Sequence, residues 1–246
     1  ILTAVFNHKE YLTATVNSVI NQTYSNWELI LFDDNSADGS FSLCYDLAKV
    51  CADSRPGRIR LFYHSKDGVT REVNLNKALP TEQRLNLGQE CTRNAALRVI
   101  SKDSDFVCLL DSDDLFKPRK LELLLKAFDS DNVEFVYGNF EVLETESGRV
   151  SAPNIAKPNV TTPTKVNFVR SLLRDNFLGA GSVLFRRSLV EQFSNPFDFR
   201  FKTIGEYPLW LKMAIRTEVR FVDEVVAVWR THSKNTGKMH ELLGKQ

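Results

Sequence analysis

The sequence predicts an α/β fold with a mixed, mostly parallel central sheet flanked by helices, and three observations carry that prediction. Strand-like and helix-like stretches alternate through the first half of the 246-residue chain, the pattern of a parallel sheet with crossover helices. Three apolar stretches end on polar residues: Asn7 after the first, Asp33 and Asp34 after the second, and Asp111, Asp113 and Asp114 after a later one. Ligands of such sheets bind outside the carboxyl ends of the strands, so these ends are expected to converge on one crevice.

The elements follow in order. Ile1 to Phe6 is a short apolar strand, and Tyr11 to Asn21 sets Leu12, Val16, Val19 and Ile20 at helical spacing. Trp27 to Phe32 is the second strand, Phe41 to Cys51 a helix, and Arg58 to Tyr63 the third strand. Lys66 to Gln89 is polar and reads as a long irregular loop or insertion, followed by a helix over Cys91 to Ile100. The run Phe106 to Phe116, FVCLLDSDDLF, drives an apolar strand into three carboxylates. Unpaired buried carboxylates are too costly to keep, so all three are expected to emerge at the strand's end, where Asp-x-Asp spacing turns two side chains the same way. Lys117-Pro118 opens a Leu-rich helix (Leu121, Leu124, Leu125, Phe128) with proline in its first turn. Beyond it come a strand over Glu134 to Leu143, a Pro-containing loop over Gly148 to Thr164, a helix over Val166 to Arg174, a strand over Gly181 to Phe185, a helix over Pro208 to Ile215 and a last strand over Arg220 to Trp229.

Composition excludes several classes. With 32 basic and 31 acidic residues the formal charge is +1, which leaves no global field for a polyanion, and nucleic acid is not an expected partner. The four cysteines, Cys44, Cys51, Cys91 and Cys108, contain no Cys-x-x-Cys pair and are expected as free thiols in a reducing compartment. No run approaches the ~20 apolar residues of a spanning helix, and no signal-peptide pattern opens the chain. The expected location is the cytoplasm, with membrane contact either peripheral, at an inner face, or through a flank of a longer protein.

Three clusters carry chemistry. Hard oxygen ligands at a strand end suit Mg²⁺ or Mn²⁺ bearing a phosphate, which makes Asp113 with Asp111 a metal and diphosphate site; the other role for Asp113 or Asp114 is to cap the helix beyond Pro118. Asp33-Asp34-Asn35-Ser36 lies between strand and helix, where Asp34 either accepts a hydrogen bond from a pyrimidine N–H or makes a turn with Asn35 and Asp38. Glu206 stands near the positive end of the helix containing Leu209, Trp210 and Met213, which favours a carboxylate able to accept a proton.

In their order and spacing, FNHKEYL (Phe6 to Leu12), SVINQTYSNWELILFDDNSADGS (Ser18 to Ser40), NLGQECTRNAAL (Asn86 to Leu97), LLDSDDLFKP (Leu109 to Pro118), IGEYPLWLKMA (Ile204 to Ala214) and VWRTHSKNTG (Val228 to Gly237) make the chain resemble a family 2 glycosyltransferase. The resemblance covers nearly the whole length. It implies the Rossmann-like GT-A fold as a single domain over 1–246, with 1–117 binding the nucleotide sugar and 118–246 the acceptor. It implies inverting, metal-dependent transfer of a hexosyl or N-acetylhexosaminyl group from a nucleoside diphosphate, UDP by preference, to a hydroxyl of a carbohydrate, lipid-linked or protein acceptor, in polysaccharide, glycolipid or glycoprotein glycan synthesis. The cofactor is then Mn²⁺ or Mg²⁺.

Residue by residue, the resemblance implies that Asp34, Ala4 and Phe6 bind the nucleotide, Phe6 stacking on the base unless it packs in the core. Asp111 and Asp113 match the family's DxD: Asp113 ligates the cation, and Asp111 reaches the ribose or completes the metal shell. Arg93, in the Arg-Asn pair, joins the nucleotide site as a brace, and His232 approaches the metal or diphosphate unless it makes only a surface hydrogen bond. Glu206 takes the place of the base. The family has Glu-Asp there, whereas this chain reads Gly205-Glu206, so the base is one methylene longer and the acid before it is missing. Two other readings remain open at this point. A sugar nucleotidyltransferase needs a Gly-rich phosphate loop, which Asn7-His8-Lys9-Glu10 does not offer; a non-catalytic carbohydrate or nucleotide-sugar-binding module would tolerate the atypical Gly205-Glu206.

Overall fold

The computed structural model describes residues 1–54, 58–151, 165–201 and 204–235. The first half is built on β1 (Leu2–Val5), α1 (Lys9–Ile20), β2 (Leu29–Asp33), α2 (Ser40–Ser54) and β3 (Ile59–His64). β1, β2 and β3 pair in parallel, as the alternation predicts. β2 is buried along its whole length, with Leu29 and Leu31 facing one core cluster and Ile30 and Phe32 the other. That alternation is the period-2 geometry of a strand covered on both faces.

One face is closed by Leu12, Val16 and Val19 of α1 and Phe41, Cys44 and Ala48 of α2. The other meets α3 (Gln89–Arg98) through Ala95 and Ala96, and the same core cluster continues beneath α5 (Lys165–Arg174) and α7 (Glu206–Ala214), whose Phe168 and Trp210 pack on Phe135 of the second half. The second half adds β5 (Phe106–Val107), β6 (Leu115–Phe116), α4 (Lys120–Leu125), β7 (Val133–Glu144), β8 (Arg149–Ser151), β9 (Val183–Arg186), α6 (Arg187–Val190) and β10 (Glu218–Thr231). Its sheet runs β5-β9-β7-β10-β6, with β8 on β7. β7 and β10 are parallel, and the other pairings in this half are antiparallel. The segment 108–110 joins the two sheets: Leu2 N–H donates to Cys108 O at 2.9 Å and Leu110 N–H to Leu2 O at 3.0 Å.

Several expectations need correction. The stretch 66–89 is not wholly irregular, because β4 (Thr70–Glu72) pairs antiparallel with β3. The run 106–116 is two short strands with a turn between them. Proline 118 precedes α4 instead of opening it, and the residue capping that helix is Arg119, without a side-chain bond, so neither Asp113 nor Asp114 is its cap. The loop expected over Gly148 to Thr164 begins with β8, and its remainder lies outside the described residues. All four cysteines are free, three of them buried and Cys91 half-buried. No helix among the described residues is long and apolar enough to cross a membrane.

Candidate functional site

The ends of β1, β2 and the segment 108–110 are tied together by their own loops. After Val5 the chain turns at Asn7, whose φ of 56° is left-handed, a region asparagine tolerates. Asn7 Oδ1 accepts Ala37 N–H at 2.8 Å, and Ser36 Oγ accepts Asn7 N–H at 3.1 Å. Phe6, just beyond β1, is 48% exposed, so it is not core packing, and Ala4 is half-buried beside it.

Asp34 is buried, and its two carboxylate oxygens accept the N–H groups of Leu87 (2.8 Å) and Gly88 (3.0 Å), the latter the cap residue of α3. Burial pushes its carboxyl above the usual range despite these bonds. Asn86 Nδ2 adds a bond to Asp34 O at 2.9 Å, and Arg84 pairs with the fully buried Asp33. The segment over Lys66 to Leu85, whose role the sequence does not reveal, thus carries the arginine that balances Asp33.

From α3 the side chain of Arg93, 3% exposed, gathers three acids. Its Nη2 lies 2.6 Å from Asp111 Oδ1, and its Nη1 lies 3.0 Å from Glu206 Oε2 and 3.1 Å from Glu90 Oε1. Burial alone would destabilise the guanidinium's charge, but Asp111, Glu90 and Glu206 raise its pKa and keep it charged. Glu206 is the first residue of α7, with 13% of its side chain exposed. Arg93 therefore braces Glu206 and Asp111 and has no free face turned to solvent.

Asp111 and Asp113 do not share a strand face, contrary to expectation. They sit in a turn closed by Asp114 N–H on Asp111 O at 3.0 Å, and Asp113 faces a second set of side chains. His232 Nε2 is 3.1 Å from Asp113 Oδ2, Asn235 Nδ2 3.2 Å, and His8 Nε2 3.8 Å. Among the described residues, His8, Asp113 and His232 form the group whose donor atoms all lie within 4.8 Å of one another; Asp111 stands outside it. His232 is buried, and its ring stacks on Tyr11 at 4.3 Å, so it makes more than a surface hydrogen bond. His8 Nδ1 bonds Ser112 Oγ at 2.8 Å, which leaves Nε2 aimed at Asp113. Burial raises the Asp113 carboxyl, but the bond to His232 and the nearby His8 ring bring it below its usual range.

The three acids do not all emerge from the core either. Asp113 and Asp114 are each 7% exposed. Asp114 accepts Arg230 N–H at 2.9 Å, and burial, with Asp113 and Asp111 nearby, pushes its carboxyl well up. A protonated, hydrogen-bonded acid is one of the few forms in which a carboxyl survives burial.

Two imidazoles and a carboxylate fit a borderline divalent cation such as Mn²⁺ better than Mg²⁺, which prefers oxygen throughout. Sequence reasoning missed His8, Tyr11, Glu90 and Asn235. His8 lies in the FNHKEYL stretch, where a histidine one residue past a strand-end turn is the signal that was available.

Comparison with known proteins gives consistent findings. The family model described as Glycosyl transferase family 2 matches residues 1–80 and 77–193. The chain is similar to the UDP-Glc:alpha-D-GlcNAc-diphosphoundecaprenol beta-1,3-glucosyltransferase WfgD of Escherichia coli, 29% identical over 210 residues, covering 85% of this chain and 66% of that protein. The chain thus spans just under two thirds of that relative's length. Among solved structures, S. aureus TarS 1-349 in complex with UDP matches with a TM-score of 0.66 at 16% identity, over 99% of this chain and 63% of that one. The mannosyltransferase PcManGT from Pyrobaculum calidifontis in complex with GDP-Man and Mn²⁺ matches with a TM-score of 0.63 at 16% identity, over 97% of this chain and 58% of that one. The fold shared with these structures is the GT-A fold.

Proposed function

The chain belongs to glycosyl transferase family 2, and from that membership we propose that it transfers a hexosyl or N-acetylhexosaminyl group from UDP to a hydroxyl of a lipid-linked sugar acceptor, with inversion. The observation that carries this reading is the junction at Asp111 to Asp113: one acid is braced by Arg93 beside Glu206, and the other faces His8 and His232. The brace of a proton acceptor and a cation-binding set thus attach two residues apart, at Asp111 and Asp113.

In this reading Asp34 accepts the N–H of the base with the lone pairs its two backbone bonds leave free, and the exposed ring of Phe6 stacks on it beside Ala4. Asp111 reaches the ribose from its bond to Arg93. Asp113, His232 and His8 would hold Mn²⁺, which supplies charge stabilisation to the departing diphosphate. Glu206, partly exposed at the start of α7, takes the proton of the acceptor hydroxyl; Arg93 holds its carboxylate in place. The lipid-linked acceptor follows the diphosphoundecaprenol substrate in the name of the E. coli relative, and the UDP donor follows that name and the UDP complex of TarS. Such an acceptor places the protein at a membrane surface, peripherally or through a further segment, on the cytoplasmic side.

The test is turnover of UDP-glucose and UDP-GlcNAc with a synthetic GlcNAc-diphosphate-lipid acceptor and Mn²⁺, followed by mass spectrometry. A β-linked disaccharide product is expected. Neither transfer nor metal-dependent hydrolysis of any nucleotide sugar, with no stabilisation by UDP, would overturn the reading.

A further inference from the structure

We propose that Glu90 is a positioning residue for Glu206, entering from α3 the space that a side chain at position 205 would otherwise fill. The inference rests on the transferase reading for what Glu206 does, but its geometry stands independently. A Cβ added at Gly205 would lie 2.4 Å from both Cγ and Cδ of Glu90 and 2.8 Å from its Oε2, far inside van der Waals contact. Gly205 has φ −65° and ψ −18°, a right-handed conformation open to any residue. Glycine is therefore demanded here by the neighbouring carboxylate and not by the backbone.

The resemblance calls for an acid immediately before the base, and Gly205 removes it. Glu90 restores an acid in the same space from a different helix. Its carboxylate accepts from Arg93 Nη1 at 3.1 and 3.4 Å, and that same nitrogen donates to Glu206 Oε2 at 3.0 Å. Two acids sharing one N–H₂ group fix its direction, while Nη2 is taken by Asp111. Without Glu90, Nη1 keeps Glu206 as its one acid partner and the pair loses a contact that fixes its direction. The charged groups that face Glu90 are Arg93 on its own helix, Glu206 on α7 and Asp111 beyond the segment 108–110. Burial pushes the Glu90 carboxyl up to about 7 against the pull of Arg93, helped by Glu206 and Asp111, so it changes charge near neutrality beside the base.

The experiment is a double-mutant cycle on the whole chain with Gly205→Ala, Glu90→Ala and both, read by melting temperature and by kcat and KM for the nucleotide sugar. Gly205→Ala is expected to lower the melting temperature and to reduce kcat by about tenfold or more with donor KM little changed, whereas in the Glu90→Ala background it should do neither, because residues in contact are not additive. Glu90→Ala with Gly205→Glu should regain activity lost in Glu90→Ala alone. Should Gly205→Ala behave as the parent, or cause the same losses in both backgrounds, the proposal is overturned. If the parent turned over no nucleotide sugar, the transferase reading would fall and the melting cycle would decide by itself: coupling upholds the Glu90–Gly205 pairing, and additivity removes it.

Discussion

Asp111 and Asp113 turn to opposite partners: Oδ1 of Asp111 lies 2.6 Å from Arg93 Nη2, and Oδ2 of Asp113 lies 3.1 Å from His232 Nε2. The turn between them sends one acid towards Glu206, the proposed base, and the other towards the histidines proposed to hold a cation. Mutation should therefore separate their roles. Asp113→Ala is expected to abolish Mn²⁺-dependent binding of UDP, whereas Asp111→Asn should keep Mn²⁺ affinity within a few-fold and lose turnover. Calorimetry of Mn²⁺ and UDP on both variants checks this; equal losses of metal binding would count against the division.

Glu206→Gln keeps the size of the side chain and its place on Arg93 but removes the proposed proton acceptor. UDP binding should survive, and transfer should fall by about 10²–10⁴-fold, the usual loss for a general base. Unchanged turnover in that variant would take Glu206 out of the mechanism.

His8 is the member of the proposed cation set farthest from Asp113, at 3.8 Å, and is steered by its bond to Ser112. His8→Ala should weaken Mn²⁺ about tenfold or more and reduce the preference for Mn²⁺ over Mg²⁺, since one of the two imidazoles that suit Mn²⁺ better than Mg²⁺ is lost. Electron paramagnetic resonance titration of free Mn²⁺ measures the first effect and competition by Mg²⁺ the second; affinity equal to the parent's would exclude His8 from the site.

Glu90 contributes to the pH dependence of stability with a definite sign, the same as that of Asp34 and Asp114. Its carboxyl rises in the folded state from an ordinary 4.5 to about 7, so the folded chain binds more protons than the unfolded one across that window. Stability from this group is full below about pH 4.5 and is lost as pH rises through about 7, a change of roughly 3 kcal/mol. Urea unfolding between pH 5 and 8 should show this decline in the parent and a flatter profile in Glu90→Gln. Parallel profiles would mean that Glu90 titrates normally.

What the sequence determined by itself is the layer architecture and the strand ends that carry acids. Leu12, Val16 and Val19 at helical spacing and the unbroken apolar run of β2 are local patterns, and an apolar strand broken by Asp34 or Asp113 is visible without neighbours. For Phe6 the sequence left stacking and core packing both open, and the bracing role of Arg93 came only with the family resemblance, without its partners Asp111 and Glu206. What only the tertiary structure decided is who stands opposite whom. Arg93 meets Asp111 and Glu206, 18 and 113 residues away, and His8 meets Ser112 across 104 residues. Glu90 fills the space left at Gly205 although nothing local to either residue announces it. Periodicity records which face of its own element a side chain occupies; buried charges are settled by whichever partners the sheet's ends bring within a few ångströms, and those partners come from distant parts of the chain.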